Sequence, residues 1–326
     1  MRLKIVLATT VVATLALASC SKDNTLPETP DGGVKIVTTI APRSGDGATI
    51  HSRATFNPDG SGTFATGDCI FLFVRGEQST AYYYALHTIG SPGRTWEEYE
   101  ESPLIGSGQT SLTFAGIYPA DAEVIDDNMQ LSFDPFHPGN VGKEDLLITF
   151  AETVGKGEVV NLQFRHLMHR LCVNLTSNVL TPSELDAAVV SLSDNLFTKV
   201  SFNLTNTYTV VAIGNHKAPA PQTGSKCAFI VTPQDLLGKN NVYGMPPNDY
   251  ITITAGGRKF TYTFPATLPG NGGESPRLLQ SGRTLTVDLA ISSMSGKSGA
   301  KSLTRSAGVD GDALTLQCTS IEVTER

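Results

Sequence analysis

Most of this chain reads as short strand-length runs of apolar and β-branched residues broken by turn signals. Gly67-Asp68 leads into Cys69-Ile70-Phe71-Leu72-Phe73-Val74, whose unbroken apolar character predicts a strand covered on both faces. Tyr82 to Leu86 follows a polar turn, Ser111 to Tyr118 alternates and stops at Pro119, and Leu131–Phe133 and Leu146–Phe150 add two more runs. The second half continues with Val159–Phe164, Leu171–Leu175, Val189–Leu192 and Val200–Leu204. Further runs are Tyr208–Ile213, Ala228–Val231, Tyr250–Thr254, Lys259–Phe264 and Leu285–Leu289. Helical signals are few. Thr181-Pro182-Ser183-Glu184 has a capping residue, Pro at the first helical position and Glu three residues on, and Trp96–Glu101 could form a second short turn. No strand–helix–strand rhythm appears, so the prediction is an all-β chain of sandwiches or barrels.

The N-terminus departs from this pattern. Arg2 and Lys4 precede an apolar run from Ile5 to Ala18, too short to span a bilayer comfortably, which predicts a signal peptide over residues 1–19. Leu17-Ala18-Ser19-Cys20 looks like a bacterial lipobox, in which Cys20 receives a diacylglycerol and becomes the first mature residue. Several acyl chains, at roughly 0.8 kcal/mol per buried methylene, attach a protein to a membrane lastingly where one would not. Residues 20–33 are rich in Asp, Glu, Pro, Asn and Thr with Leu26 as the lone large apolar residue, the composition of a flexible leash.

About 300 residues remain, enough for roughly two domains. The formal charge of −7 favours no nucleic-acid partner. Cys69, Cys172, Cys227 and Cys318 form no Cys-x-x-Cys pair and sit among apolar or Thr neighbours, which suits core side chains better than zinc ligands. Export would permit a disulfide between two of them, and the spacing names no pair.

Candidate chemistry is thin. His166 and His169 would share a helix face and could ligate a metal, but no ligand-spaced Cys or carboxylate stands near them, and a hydrogen-bonded structural role is favoured. There is no Gly-x-Ser-x-Gly elbow; Gly270-Asn271-Gly272-Gly273 lies in a polar loop, and Asp126-Asp127-Asn128 lacks the Gly and distal Glu of a calcium loop. No catalytic residue, metal or cofactor is expected. Tyr82, Tyr83, Tyr84, Trp96 and Tyr99 could stack on sugars if exposed, although packing against a strand is favoured for them, and Trp96 is the only Trp.

Several segments taken in order resemble the fimbrillin (Mfa-like) family of type V pilus subunits and accessory lipoproteins of Bacteroidota. The fullest is Phe164-Arg165-His166-Leu167-Met168-His169-Arg170-Leu171-Cys172-Val173-Asn174-Leu175, similar to the family's Phe-x-His-x-x-x-x-Leu-x-Val pattern. Upstream, Ser52-Arg53-Ala54-Thr55-Phe56 with Gly67-Asp68-Cys69-Ile70 resembles the Arg-Ala-Thr entry and Gly-Asp-x-Ile, and Ala115-Gly116-Ile117-Tyr118-Pro119 the aromatic-Pro strand end. Downstream, Phe229–Gln234 and Ser281–Val287 resemble late strands. Cys20-Ser21-Lys22-Asp23 also resembles the export signal that carries Bacteroidota lipoproteins to the outer face.

The resemblance implies two transthyretin-like β-sandwich domains in tandem, expected at 34–160 and 161–291, with residues 292–326 as linker and tail. It implies a lipoprotein of the cell outer membrane that an Arg-specific protease matures by removing the first strand. A strand from another pilin subunit then replaces it in a fimbrium that mediates adhesion, through other pilin subunits and a host or bacterial receptor. Val34 to Ile40 is the expected first strand, with cleavage after Arg53, before Ala54, and Arg43 as the alternative. Loss of residues 34–53 would bare a sheet edge that demands a new partner. Ser292 to Gly311 reads as a flexible linker. Beyond it, Leu314, Leu316 and Cys318 alternate, and Ile321 and Val323 alternate in the opposite phase. This tail is a candidate donor strand or an intramolecular last strand, its phase change marking a bulge or two separate pockets. The closing Trp of many family members is absent near Ile321–Val323, which leaves a minor, anchoring or tip role open. The competing reading is a surface glycan-binding lipoprotein of a polysaccharide-uptake system.

Overall fold

The computed structural model describes residues 33–42, 55–56, 61–91, 93–102, 105–120, 123–124, 130–135, 144–203, 211–273, 275–293, 304–305 and 314–324. The chain opens with β1 (Ile36–Ile40), β2 (Thr55–Phe56), β3 (Gly62–Thr63), β4 (Cys69–Gly76), β5 (Tyr83–Thr88) and helix α1 (Trp96–Glu100). Then come β6 (Ser111–Tyr118), β7 (Glu123–Val124), β8 (Gln130–Phe133), β9 (Leu147–Gly155) and β10 (Val160–His166). β11 (His169–Ser177), helix α2 (Pro182–Asp186), β12 (Val189–Leu192), β13 (Phe197–Asn203), β14 (Val211–His216), β15 (Gln222–Thr223) and β16 (Lys226–Val231) follow. β17 (Tyr250–Ala255), β18 (Arg258–Thr263), β19 (Thr284–Ser293), β20 (Thr304–Arg305) and β21 (Leu314–Thr324) complete the order. The architecture is all-β, with two one-turn helices among the described residues.

Both helices start where the sequence places them. Thr95 and Thr181 each accept from the backbone N–H three residues on, and Glu98 and Glu184 return a side-chain acceptor to the cap. These reciprocal caps satisfy N–H groups that a one-turn helix cannot pair internally.

Four sheets form the body. The largest runs β2-β3-β1-β10-β9-β6-β4-β5. Its strands serve two cores, because alternate residues point to opposite faces. Ile70, Leu72 and Val74 of β4 join Leu112, Phe114, Leu162 and Phe164 on one face, plugged by Trp96 and Tyr99 of α1. Phe73 joins Ala115, Ile117 and Ile148 on the other. That second face is covered by the sheet β14-β13-β8-β7, which supplies Leu131, Phe133, Val200 and Phe202. The double coverage expected for residues 69–74 is thus provided. The remaining sheets, β16-β11-β19-β21-β20 and β15-β12-β17-β18, enclose a separate core that includes Val173, Val190, Phe229, Ile253, Phe260 and Val287.

The expected division at 160/161 falls at the head of β10, and β10 pairs within the first sheet through His166. The change of sheet comes at Leu167 and Met168, which are buried in the layer between the two halves. β13 and β14 also cross back: β13 pairs with β8 and closes the first half's second core. Their alternation was legible, but periodicity does not say which sheet a strand joins. β19 likewise runs to Ser293, beyond the expected domain end at 291.

Phe164 is fully buried and meets Phe64 edge-to-face at 5.0 Å. Phe164→Ala is expected to cost about 3–5 kcal/mol, read as a lowered urea midpoint with little change in slope.

Candidate functional site: the β1 seam and the C-terminal strand

β1 lies parallel to β10, from Ile36 opposite Val160 to Ile40 opposite Phe164, with no register slip. Val160 N donates to Lys35 O at 2.9 Å and Ala41 N to Phe164 O at 2.8 Å, marking the two ends of the ladder. By the alternation of a parallel ladder, the odd-numbered residues of β1 turn their backbone groups to β10 and the even-numbered ones turn theirs outward. The side chains of Val34 and Ile40 are buried in the first core, and Ile36 packs against it. The start of β1 is held by Val34 N donating to Arg94 O at 2.9 Å and by a bridge between Gly33 and Thr95. Residues 34–40 therefore complete a sheet, as the sequence predicts.

The outer flank of β1 is different. Among the described residues it meets β3 at one pair, Ile40 with Gly62. β11 occupies the analogous place in the second half, parallel to that half's late strand β19, yet its other flank carries β16 over six pairs from His169 to Asn174. Lifting β11 would split a sheet interior. Lifting β1 would strip an edge. Burial of Val34, Ile36 and Ile40 supplies roughly 4–8 kcal/mol, comparable with the translational and rotational freedom a separate peptide loses on binding.

The tail residues Leu314, Leu316, Cys318, Ile321 and Val323 all face the core of the second half from β21, which pairs antiparallel with β19. In this structure the tail is the intramolecular last strand. The phase change corresponds to a bulge: Asp288 lies opposite Ser320 and Leu289 opposite Cys318, leaving Thr319 as the extra residue. Cys20, Arg43, Arg53 and Ala54 lie outside the described residues, as does Asp126-Asp127-Asn128.

His166 and His169 sit on two successive strands rather than a helix face. His166 Nδ1 pairs with Asp145 Oδ2 at 2.7 Å, and His169 Nδ1 meets Gln280 O at 2.8 Å. Both are buried structural histidines. Asp145 is a carboxylate brought to His166 from a distant segment, invisible to any local spacing rule. Gly270 to Gly273 belongs to a turn in which Asn271 Nδ2 donates to Leu278 O at 2.7 Å. All four described cysteines are free thiols; Cys172 and Cys227 are buried, and burial pushes the Cys227 thiol up to about 11. No group of three metal-ligating side chains occurs among the described residues.

The aromatic cluster is packed. Tyr82, Trp96 and Tyr99 are buried, and Tyr83 and Tyr84 half-buried. Arg94 donates to the Tyr83 hydroxyl and lies over that ring at 4.8 Å, so the residue whose carbonyl receives Val34 N is itself anchored by its side chain. Burial, partly offset by Arg94, pushes the Tyr99 phenol up to about 12.

A model of a fimbrillin-like family matches residues 52–305. The chain belongs to this fimbrillin-like family. A structure of a candidate cell adhesion protein from Bacteroides uniformis is similar at 17% identity with a TM-score of 0.52, covering 91% of this chain and 98% of the other. The tip fimbrial protein Mfa3 of Porphyromonas gingivalis, with a C-terminal truncation, aligns at 10% identity and a TM-score of 0.42 over 89% of this chain and 99% of that one. The likeness to the Bacteroides uniformis protein concerns the fold. No curated protein matches the chain. No helix among the described residues of this fimbrillin-like chain is long and apolar enough to cross a membrane.

Two outcomes are expected. Amide exchange should alternate along β1, slow at Val37, Thr39 and Ala41 and fast at Ile36 and Thr38; uniform protection would show a covered outer flank. The second concerns His87, whose pKa burial lowers. A methyl group placed on Gly93 would touch both the His87 ring and the Val34 carbonyl, so His87 flanks the start of β1. A lowered base favours the fold above the unfolded value of about 6.5, and that stability is lost as pH falls through the folded value. Protection of the seam should therefore weaken below about pH 6.5, and His87→Gln should flatten the dependence.

Proposed function

We propose that this chain is a structural or accessory subunit of a cell-surface pilus, lipid-anchored through Cys20 and matured by Arg-specific cleavage. Strand exchange at the β1 seam would then add it to a fibre that mediates adhesion. The observation that carries this reading is the one-sided hold on β1: a parallel ladder to β10 on one flank and a single described pair on the other. While the chain is intact, the tether keeps β1 at high effective concentration beside β10. A cut after Arg53 removes that advantage and leaves β3, which among the described residues meets β1 at the one pair Ile40 with Gly62, on the body. The bared edge of β10 and the apolar places of Val34, Ile36 and Ile40 then accept an incoming strand, which satisfies the backbone and the core together.

The test is made in cells that assemble the fibre. Arg53→Ala should remain in the membrane fraction and be missing from sheared fibres, whereas Arg43→Ala should enter them. Recovery of chains from fibres with residues 34–53 still attached would sink the scheme.

A further inference from the structure

The two strands that flank these cores carry different apolar spacings. Along β19, Leu285, Val287, Leu289, Ile291 and Ser293 face Val323, Ile321, Cys318, Leu316 and Leu314 of β21. Every large apolar residue of that face of β19 thus meets an apolar or thiol side chain from the tail. The match depends on the extra residue Thr319, because unbroken alternation would turn Ile321 and Val323 away from the core. Asp288 fixes the slip. Its carboxylate accepts from Asn174 Nδ2 at 2.7 Å on one neighbouring strand and from Ser320 Oγ on the other. Its carbonyl accepts from Thr319 Oγ1 at 3.2 Å.

The β1 seam has no slip. It takes apolar side chains at Val34, Ile36 and Ile40, a second residue two positions on and a third four positions beyond that. The tail cannot reproduce this spacing. Slid in parallel along the seam, its best register puts Leu314 and Leu316 at the first two places and Ser320 where Ile40 is buried. Run antiparallel, the closest fits place Ser320 at the Val34 position or Gln317 at the Ile40 position. No register of residues 312–326 in either direction fills all three places with apolar groups.

We propose that β21 is a strand this chain keeps for its own sheet, and that the vacated β1 seam takes its strand from a different polypeptide. The donor is an extended segment with apolar side chains spaced as Val34, Ile36 and Ile40. The inference rests on the strand-exchange reading and gives it a direction: the subunit accepts a strand and passes none to its own kind. A copy so built does not propagate a fibre of its own kind.

Peptide exchange tests this on the full precursor after cutting with an Arg-specific protease. Three fluorescein-labelled peptides are offered: residues 33–43, residues 312–326, and the latter carrying Ser320→Ile. The first should bind. The native tail should bind at least about tenfold more weakly, tenfold corresponding to 1.4 kcal/mol at the one mismatched place, and Ser320→Ile should recover most of the loss. The cut protein alone should sediment as a monomer. Equal binding of the native tail, or growth of fibres from the cut protein alone that Asp288→Ala accelerates, would overturn the proposal while leaving strand exchange intact. Failure of the first peptide to bind would instead remove the strand-exchange reading, and this proposal with it.

Discussion

Everything in the first half depends on the need of β10 for a partner on each side. β10 is an alternating strand whose inward residues, Val160, Leu162 and Phe164, are fully buried. Its backbone N–H and C=O groups lie beside that core and cannot be left unpaired without large cost. β9 serves one flank and β1 the other. Because β1 is itself barely held from outside, a requirement central to the core is met by an element at the periphery.

The second half meets the same requirement differently. β11 repeats the parallel relation to a late strand, but β16 encloses it. The free flank falls to β19 instead, and β21 covers it. The two halves therefore share a plan and differ in where the strand on the outer flank stands in the chain. In the first half that strand precedes the sheet in sequence, and in the second it follows.

Much of this was legible in the residues. Strand positions follow from period-two alternation in β10, β13 and β17, and α2 from its Thr181-to-Glu184 cap; the matching Thr95-to-Glu98 cap of α1 emerged with the structure. β1 was readable as a strand, and the phase change at Thr319 as a bulge. What could not be read was partnership. Nothing local in Phe197–Asn203 says that they join β8, since alternation gives a buried face but not the sheet that buries it. Asp145 beside His166 and Asp288 beside Ser320 are likewise contacts between segments far apart in the chain, and a single sequence carries no pairwise signal for them. The cleavage and lipid positions lie outside the described residues and rest on motif resemblance and chain order.

The return of β13 and β14 to the first half has a consequence for how such a gene can change. The polypeptide passes between the halves three times: after β10, before β13 and after β14. No single breakpoint separates them into modules, because any cut between β10 and β15 leaves one product with the inner face of its main sheet bare. Exchange of half-subunits at one crossover would therefore strip Val200 and Phe202 from the core they share with Leu131 and Phe133.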